Sequence, residues 1–489
     1  MAFHVGVDVG TTKIAAVVVD SSSGREVAVK DVPNDTETTS ASDKARGHSE
    51  WDADATAKRT FECIAAAVAG ARGGEIKGIG VTGQMHGMVL LANGSPVSPF
   101  IGWQDRRCQE MLPGHDVNYI DRMMQLAGVG GFAGTGCPPA TGYMASTLFW
   151  LARNGNALVT KSAARAARDG VMACFLPDYL VLRLTGRGPV TDPTDAAGAG
   201  VLDVATGAWN SALISKLGLR ADIFAPILKS GAVAGGLTAE AANALGLKEG
   251  IPVCVACGDN QAGFAGSVAD PPESILVNIG TGAQVSAWVP GCPSAENLDT
   301  RPHVDGGFLL VGAPLCGGVS YAFLRDFLLA AGRDFFGARG DEEIYAKMNR
   351  LAAAVPAGAD GLRCEPLFTG SRLDPQRRAS WNGMSPANFT PGHFARAIIE
   401  GIVEQVRLHY ADMLGGGMKP RRQLICTGNG VRRNPLLSQT LSAAFQMPLR
   451  VTVSTEEAAF GAALLAAVGS GEFASLRDAA KLVAYSSPL

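Results

Sequence analysis

The chain has 489 residues, of which 47% are hydrophobic and 18% charged, with a formal net charge of −3 at pH 7. That length exceeds one ordinary core and allows two large domains or about three smaller ones, while the near-neutral balance supplies no basic field for nucleic acid or anionic lipid. No apolar run reaches the roughly 18 residues that cross a bilayer and no signal-peptide pattern opens the chain, so a cytoplasmic protein acting on small molecules, with no nucleic-acid or membrane partner, is expected.

In chain order, "HVGVDVGTTKIAAVVVD" (4–20) is dense in β-branched residues with glycine and threonine at the reversal, which predicts a buried β-hairpin. The stretch from Asp31 to Glu50 is persistently polar. Residues 53–71 predict a helix with Phe61, Ile64, Ala65 and Val68 on one face. "IKGIGVTGQMHGMVLLA" (76–92) reads as a strand broken between Gly83 and Gly87, so strand and helix alternate and the fold class is α/β. "IPVCVACGDNQAG" (251–263) is a second buried strand ending in glycine and an acid. At once there follows "ILVNIGTGAQVSAWV" (275–289), a hairpin built like the first. Two lobes are therefore expected, 1–250 and 251–489, with the boundary near Gly250.

Further on, Phe394, Ile398, Ile402, Val406, Tyr410 and Leu414 recur four apart and predict a long amphipathic helix. "RRQLICTGNGVRRNPLLSQTLSAAF" (421–445) reads as strand, Gly-rich turn and helix. Ser454 with Glu457 forms a capping-box pattern ahead of an apolar helix. Ten cysteines are scattered; Cys254 and Cys257 make one close pair without the second pair or His cluster of a zinc site, so reduced, buried thiols are expected.

A Gly-Thr turn between strands can present backbone N–H groups and hydroxyls to phosphate oxygens, or it can simply be a hairpin turn. Two such turns, one per lobe, could close on a nucleotide from both sides, with Asp8 holding Mg²⁺ through water. No Walker A sequence occurs, nor a Gly-x-Gly-x-x-Gly in the first strand-to-helix turn. In "TGNGVRRN" the bare backbone at Gly428 and Gly430 could lie flat against a nucleobase. Asp259, at a strand end after Gly258, suits either a general base or a helix cap. His86 is either an interior histidine or a donor to sugar oxygens. Trp103, Gln104 and Asp105 offer an aromatic face with polar groups, although Asp105 and Arg107 can instead pair with each other.

The ordered set "DVGTTK", "GIGVTGQMHG", "WQDRRC", "LPDYLVLRLTG", "TDPTDAAG", "GDNQAG", "NIGTGAQ" and "TGNGVRRN" resembles the FGGY family of carbohydrate kinases over nearly the full length. The resemblance implies two ribonuclease H-like lobes of the actin-like ATPase type, with ATP and sugar bound in the cleft between them. The sugar then lies on the N-terminal lobe and the nucleotide on the C-terminal one. It implies Asp259 as base, and Gln84, Met85, His86, Trp103, Gln104, Asp105 and Asn260 at the sugar. It places Asp8, Gly10, Thr11, Thr12 and Lys13 in the first phosphate loop, Gly280, Thr281 and Gly282 in the second, and Gly318, Gly430 and Asn434 at the nucleotide. ATP and Mg²⁺ are the implied cofactors. Members are often dimers, which allows a homodimer here, though no exposed apolar stripe in the sequence demands one.

"GQMHG" resembles the xylulokinase and sedoheptulokinase branches; glycerol kinase carries Arg and Glu in place of Met85 and His86. "WQD" and "NIGTGAQ" lean toward sedoheptulose, "GDNQAG" and "TDPTDAAG" toward D-xylulose or another pentulose. Arg106 departs from both branches, which usually have glycine there, and its bulk could alter the sugar pocket. An actin-like or Hsp70-like ATPase switch would need a partner-binding extension, and a non-catalytic sugar sensor would need loss of Asp259 or a phosphate loop; neither is seen in the sequence.

Overall fold

The structure, a computed structural model, describes residues 1–486 apart from 161–168, 294–296, 339, 341, 372–373 and 375. The first predicted hairpin is β1 (Ala2–Val9) with β2 (Lys13–Asp20), closed by Val9 opposite Ile14; β3 (Glu26–Pro33) continues antiparallel along β2. On the other side of β1, and parallel to it, runs β4 (Glu75–Gly83), reached through α1 (Ala53–Gly70). β5 (Val233–Gly236), β6 (Pro252–Cys254) and β7 (Cys257–Gly258) complete that edge, β6 and β7 both lying parallel to β4.

The second sheet repeats the plan. β8 (Ser274–Ile279) and β9 (Ala283–Val289) form the second hairpin, and β10 (Asp299–Pro302) and β11 (Phe308–Gly312) extend it antiparallel beyond β9. β12 (Gln423–Thr427) and β13 (Leu449–Thr452) run parallel beyond β8, with β14 (Tyr485–Ser486) antiparallel at the edge. The hairpin occurs twice because the sheet does.

One expectation shifts here. β6 and β7 lie beyond Gly250 yet pair with β4, so the first sheet runs through Gly258 and the change of sheet falls between Gly258 and Ser274. A separate apolar core around Tyr119, Phe149 and Phe224 gathers much of the chain between Met88 and Phe224 beside the first sheet.

Strand alternation gives the first sheet two covered faces. Phe3, Val5, Val7 and Val9 share a core with Ile64 and Ala67 of α1. That helix is capped by Asp52, whose side chain accepts the Ala55 N–H at 2.9 Å. Its buried stripe is Thr56, Thr60, Cys63, Ile64 and Ala67, so Phe61, Ala65 and Val68 of the predicted face sit at the edge and are only half-buried. Smaller residues make the closest contact with the sheet.

α2 (Asp259–Ala265), α3 (Gly318–Phe336), α4 (Pro391–Gly415), α5 (Pro435–Phe445) and α6 (Glu457–Gly469) follow in the second half. Of the predicted α4 face, Ile398, Ile402, Val406 and Tyr410 are buried. α6 is apolar on nearly every side, as a helix enclosed by protein must be. It covers the other face of the first sheet, through side chains at Val17 and Val19 of β2 and backbone to backbone at Gly6 and Gly80. A Cβ on Gly6 would stand 1.8 Å from the Ala459 carbonyl oxygen, and one on Gly80 2.0 Å from that of Ala462.

The expected capping box does not form. Ser454 hydrogen-bonds Glu26, Glu457 is drawn to Arg432 and Thr452, and the helix starts after Glu456 without a side-chain cap. All ten cysteines are free, Cys254 and Cys257 buried and Cys292 exposed. Among the described residues no helix is long and apolar enough to cross a membrane.

Gly80→Ala forces a methyl group into helix backbone and is expected to cost about 3 kcal/mol or more, lowering the thermal midpoint by about 3 °C or more. Gly70→Ala, whose Cβ would meet Ala28 at an ordinary 3.5 Å, serves as the control. Equal midpoints for the two variants would contradict the packing.

Candidate active site

A cleft of about 430 Å³ opens where strand ends of both sheets meet the starts of α2 and α6. Asp8, on the same face of β1 as Gly6, points toward the start of α6, and its Oδ1 is buried without a hydrogen-bond partner. Burial, reinforced by Asp259 and Glu456 and opposed by Lys13, pushes this carboxyl up to about 8. Lys13 itself reaches Glu456 at 2.5 Å. In the turn between them, Gly10 N–H donates to the Lys13 carbonyl at 3.0 Å, while Asn34 ties down the Gly10 and Thr12 carbonyls, each at 3.0 Å. Thr11 accepts from Trp103 Nε1 at 3.0 Å, joining this loop to the predicted sugar segment.

An unpartnered buried carboxylate oxygen fits a hard cation such as Mg²⁺. Among the described residues no group of three or more His, Cys, Asp or Glu converges on one point. The protein would thus offer mainly Asp8, and water and phosphate oxygens the remaining ligands.

On the opposite wall Gly258 is the N-cap of α2, so Asp259 is its first helical residue and not its cap. Oδ1 of Asp259 accepts the adjoining Asn260 N–H at 2.7 Å. Burial raises its carboxyl above the ordinary value, against the pull of that hydrogen bond and of Arg301. Gly258 allows close approach, since a Cβ there would lie 2.7 Å from Gln261 Oε1 and 3.0 Å from Met85 Cβ. Asn260 donates to Gln284 Oε1 at 2.6 Å.

Gln84, Met85, His86 and Trp103 line the same cleft. The His86 ring stacks on Tyr143 with centroids 4.2 Å apart, and Nδ1–H donates to the Gly198 carbonyl at 3.0 Å, which sets its tautomer. Gln104 is exposed and outside the lining. Asp105 is a correction: it is fully buried, its two oxygens taken by Arg107 at 2.8 Å each and by Ser49 N–H at 2.8 Å. A carboxylate withdrawn from water needs such a partner, and of the two readings left open by the sequence the internal ion pair is the one observed. Arg106 is exposed, with its backbone on Gly47, and does not line the cleft.

The second loop is docked on α3: Gly280 N–H reaches the Gly282 carbonyl at 3.0 Å, while Gly318 and Val319 donate to the carbonyls of Gly280 and Thr281 at 2.9 and 3.0 Å. A Cβ on Gly430 would stand 2.7 Å from the Ile279 carbonyl oxygen. Gly280, Thr281, Gly282, Gly318 and Gly430 thus converge at the end of β8. Asn434 has a structural task, capping α5 by accepting the Leu437 N–H at 3.2 Å. Sequence reasoning missed Arg301, Glu456 and Thr427 in the lining. Glu456 lay inside the supposed capping box; Arg301 stood in no motif.

The N-terminal domain of the FGGY family of carbohydrate kinases matches residues 3–266, and its C-terminal domain residues 293–470. Xylulose kinase of Staphylococcus xylosus is 27% identical, over 98% of this chain and 93% of its own. Sedoheptulokinase of Mus musculus is 26% identical, over 94% of this chain and 96% of its own. The crystal structure of xylulose kinase from Rhodospirillum rubrum superposes with a TM-score of 0.85 at 26% identity, covering 100% of this chain and 94% of that one.

Because Asp8 titrates at about 8 when folded against an ordinary 3.8, the folded chain holds more protons than the unfolded one between those values, and stability falls as pH rises through that window. Asp8→Asn removes this contribution. Without divalent cations its thermal midpoint is expected to gain on wild type as pH goes from about 6 to about 9, by a few degrees; a difference independent of pH would refute the shift.

Proposed function

Because the chain belongs to the FGGY family of carbohydrate kinases, we propose that its cleft transfers the γ-phosphate of ATP to a hydroxyl of a ketose, sedoheptulose foremost. The observation that carries this reading is Asp259, held at a helix start in the cleft by the Asn260 N–H and facing the same space as Asp8. Gln284, the glutamine of "NIGTGAQ", is hydrogen-bonded to Asn260 beside the base and so belongs to the sugar end. D-Xylulose is the second reading, carried by "GDNQAG" around the base itself.

Asp259 accepts the proton of the sugar hydroxyl as its oxygen bonds to the γ-phosphorus and the bond to the β-phosphate oxygen breaks, leaving the sugar phosphate and ADP. The Gly10–Lys13 and Gly280–Gly282 loops orient the phosphates from the two lobes, and Gly318 and Gly430 let the backbone of the second loop and the end of β8 pack closely at the nucleotide end. Bound beside Asp8, Mg²⁺ supplies charge neutralisation to the phosphates. Closing the lobes excludes water that would otherwise compete as acceptor.

ADP release measured with Mg²⁺, ATP and either sedoheptulose, D-xylulose, D-ribulose or glycerol is expected to rank sedoheptulose first by kcat/KM. A first place for D-xylulose would give the pocket to the second reading, and one for glycerol would refute the ketose assignment. Asp259→Asn is expected to lower kcat by about 10²–10⁴-fold with the KM for ATP nearly unchanged, and near-normal turnover would remove Asp259 as base.

A further inference from the structure

Among the described residues Arg301 is the only lysine or arginine in the lining of the cleft. It sits on β10 of the second sheet and its side chain is buried. One arm is fixed: Nη2 lies 2.8 Å from Asp299 Oδ2, which also balances its charge. The other arm is poorly satisfied. Nη1 finds Met85 Sδ and Asn260 Oδ1, each at 3.4 Å; a thioether is a weak acceptor, and 3.4 Å is long for N–H···O.

These two neighbours locate the arm. Asn260 follows the base, and Met85 precedes His86 on the other lobe. β10 is held to that lobe as well, Thr300 N–H donating to the Gly136 carbonyl at 2.9 Å. A Cβ on Gly136 would stand 2.1 Å from the Thr300 carbonyl oxygen. The guanidinium is thus preorganised and aimed into the space between base and sugar segment.

We propose that Arg301 is the specificity-determining residue of the cleft and donates, through Nη1, to the carbonyl oxygen of the open-chain ketose; this rests on the ketose-kinase reading and narrows it. A guanidinium only donates, and among the oxygens of a linear ketose the carbonyl alone only accepts. An aldonate is disfavoured because Asp299 already matches Arg301 while Asp8, Asp259 and Glu456 add negative charge around the substrate. An alditol presents a hydroxyl at that position, whose own hydrogen meets no acceptor on a guanidinium. Arg301 also opposes the upward shift of Asp259, so its removal has a signature in the pH profile.

The test compares wild type, Arg301→Met and Arg301→Lys in the full chain, with D-xylulose and sedoheptulose against D-arabinitol and D-gluconate. Arg301→Met is expected to raise the ketose KM and to reduce the ketose-to-alditol ratio of kcat/KM by about tenfold or more, with the ATP KM within about twofold. It should also move the acid limb of the kcat/KM profile to higher pH. Arg301→Lys keeps the charge but not the fork, so it should leave that limb near its wild-type position while the ketose KM stays raised. It carries the test if the methionine variant does not fold. Unchanged ketose KM and ratio in both variants would overturn the role of Arg301 and leave the ketose kinase standing. A wild type preferring alditol or aldonate would overturn both readings. Where turnover is absent, calorimetric ketose binding gives the same comparison, and wild type binding no ketose counts against both.

Discussion

Everything in the cleft depends on α6 lying against its neighbours backbone to backbone. Gly6 and Gly80 remove side chains from the sheet side, and Gly266 and Gly461 do the same where α6 meets α2: a Cβ on Gly461 would stand 1.9 Å from the Ala262 carbonyl oxygen, and one on Gly266 2.0 Å from that of Glu457. Because the contacts at these four glycines have no side-chain layer to compress, they hold the start of α6 close to the end of β1 and to α2. Asp8, Glu456 and Asp259 are brought to one space by that packing, although β1, α2 and α6 are far apart in sequence. Arg432 then binds Glu457 at 2.7 Å and ties the beginning of α6 to the second sheet.

The same packing concentrates negative charge. Asp8, Asp259 and Glu456 share the cleft, and Lys13 is engaged with Glu456. Burial first, and the neighbouring Asp259 and Glu456 after it, push the Asp8 carboxyl up to about 8. A divalent ion arriving with the nucleotide would displace the Asp8 proton and relieve the repulsion.

Much of this was legible in the sequence, for reasons that can be stated residue by residue. The two hairpins were readable because β-branched runs interrupted by Gly-Thr leave few alternatives, and they appear at β1 with β2 and at β8 with β9. The face of α4 was readable from its period. The lobe boundary was not, because "IPVCVACG" has no local mark that it pairs with β4 instead of opening a new sheet. Asp105 was ambiguous because a carboxylate two residues from an arginine can serve a ligand or that arginine, and burial decided it. Arg301 was invisible, since its meaning comes from Met85 on another lobe. The capping-box pattern misled because Arg432 and Glu26, remote in sequence, claimed its two side chains.

The duplicated hairpins also show how one plan can serve unequal ends of a reaction. Asp8 is the penultimate residue of β1 and pairs with Ala15; Asn278 is the penultimate residue of β8 and pairs with Gln284. The first position is an acid and the second an amide, and both line the cleft. Two acids at these equivalent sites would add a second unmatched carboxylate to a cleft that already raises the first to about 8. With an amide instead, the second loop could approach phosphate oxygens without repelling them, and a cation would find its carboxylate on the Asp8 side. The pair Asn278 and Gln284 leaves that wall neutral and able both to donate and to accept, which suits it to phosphate at one end and to polyol at the other.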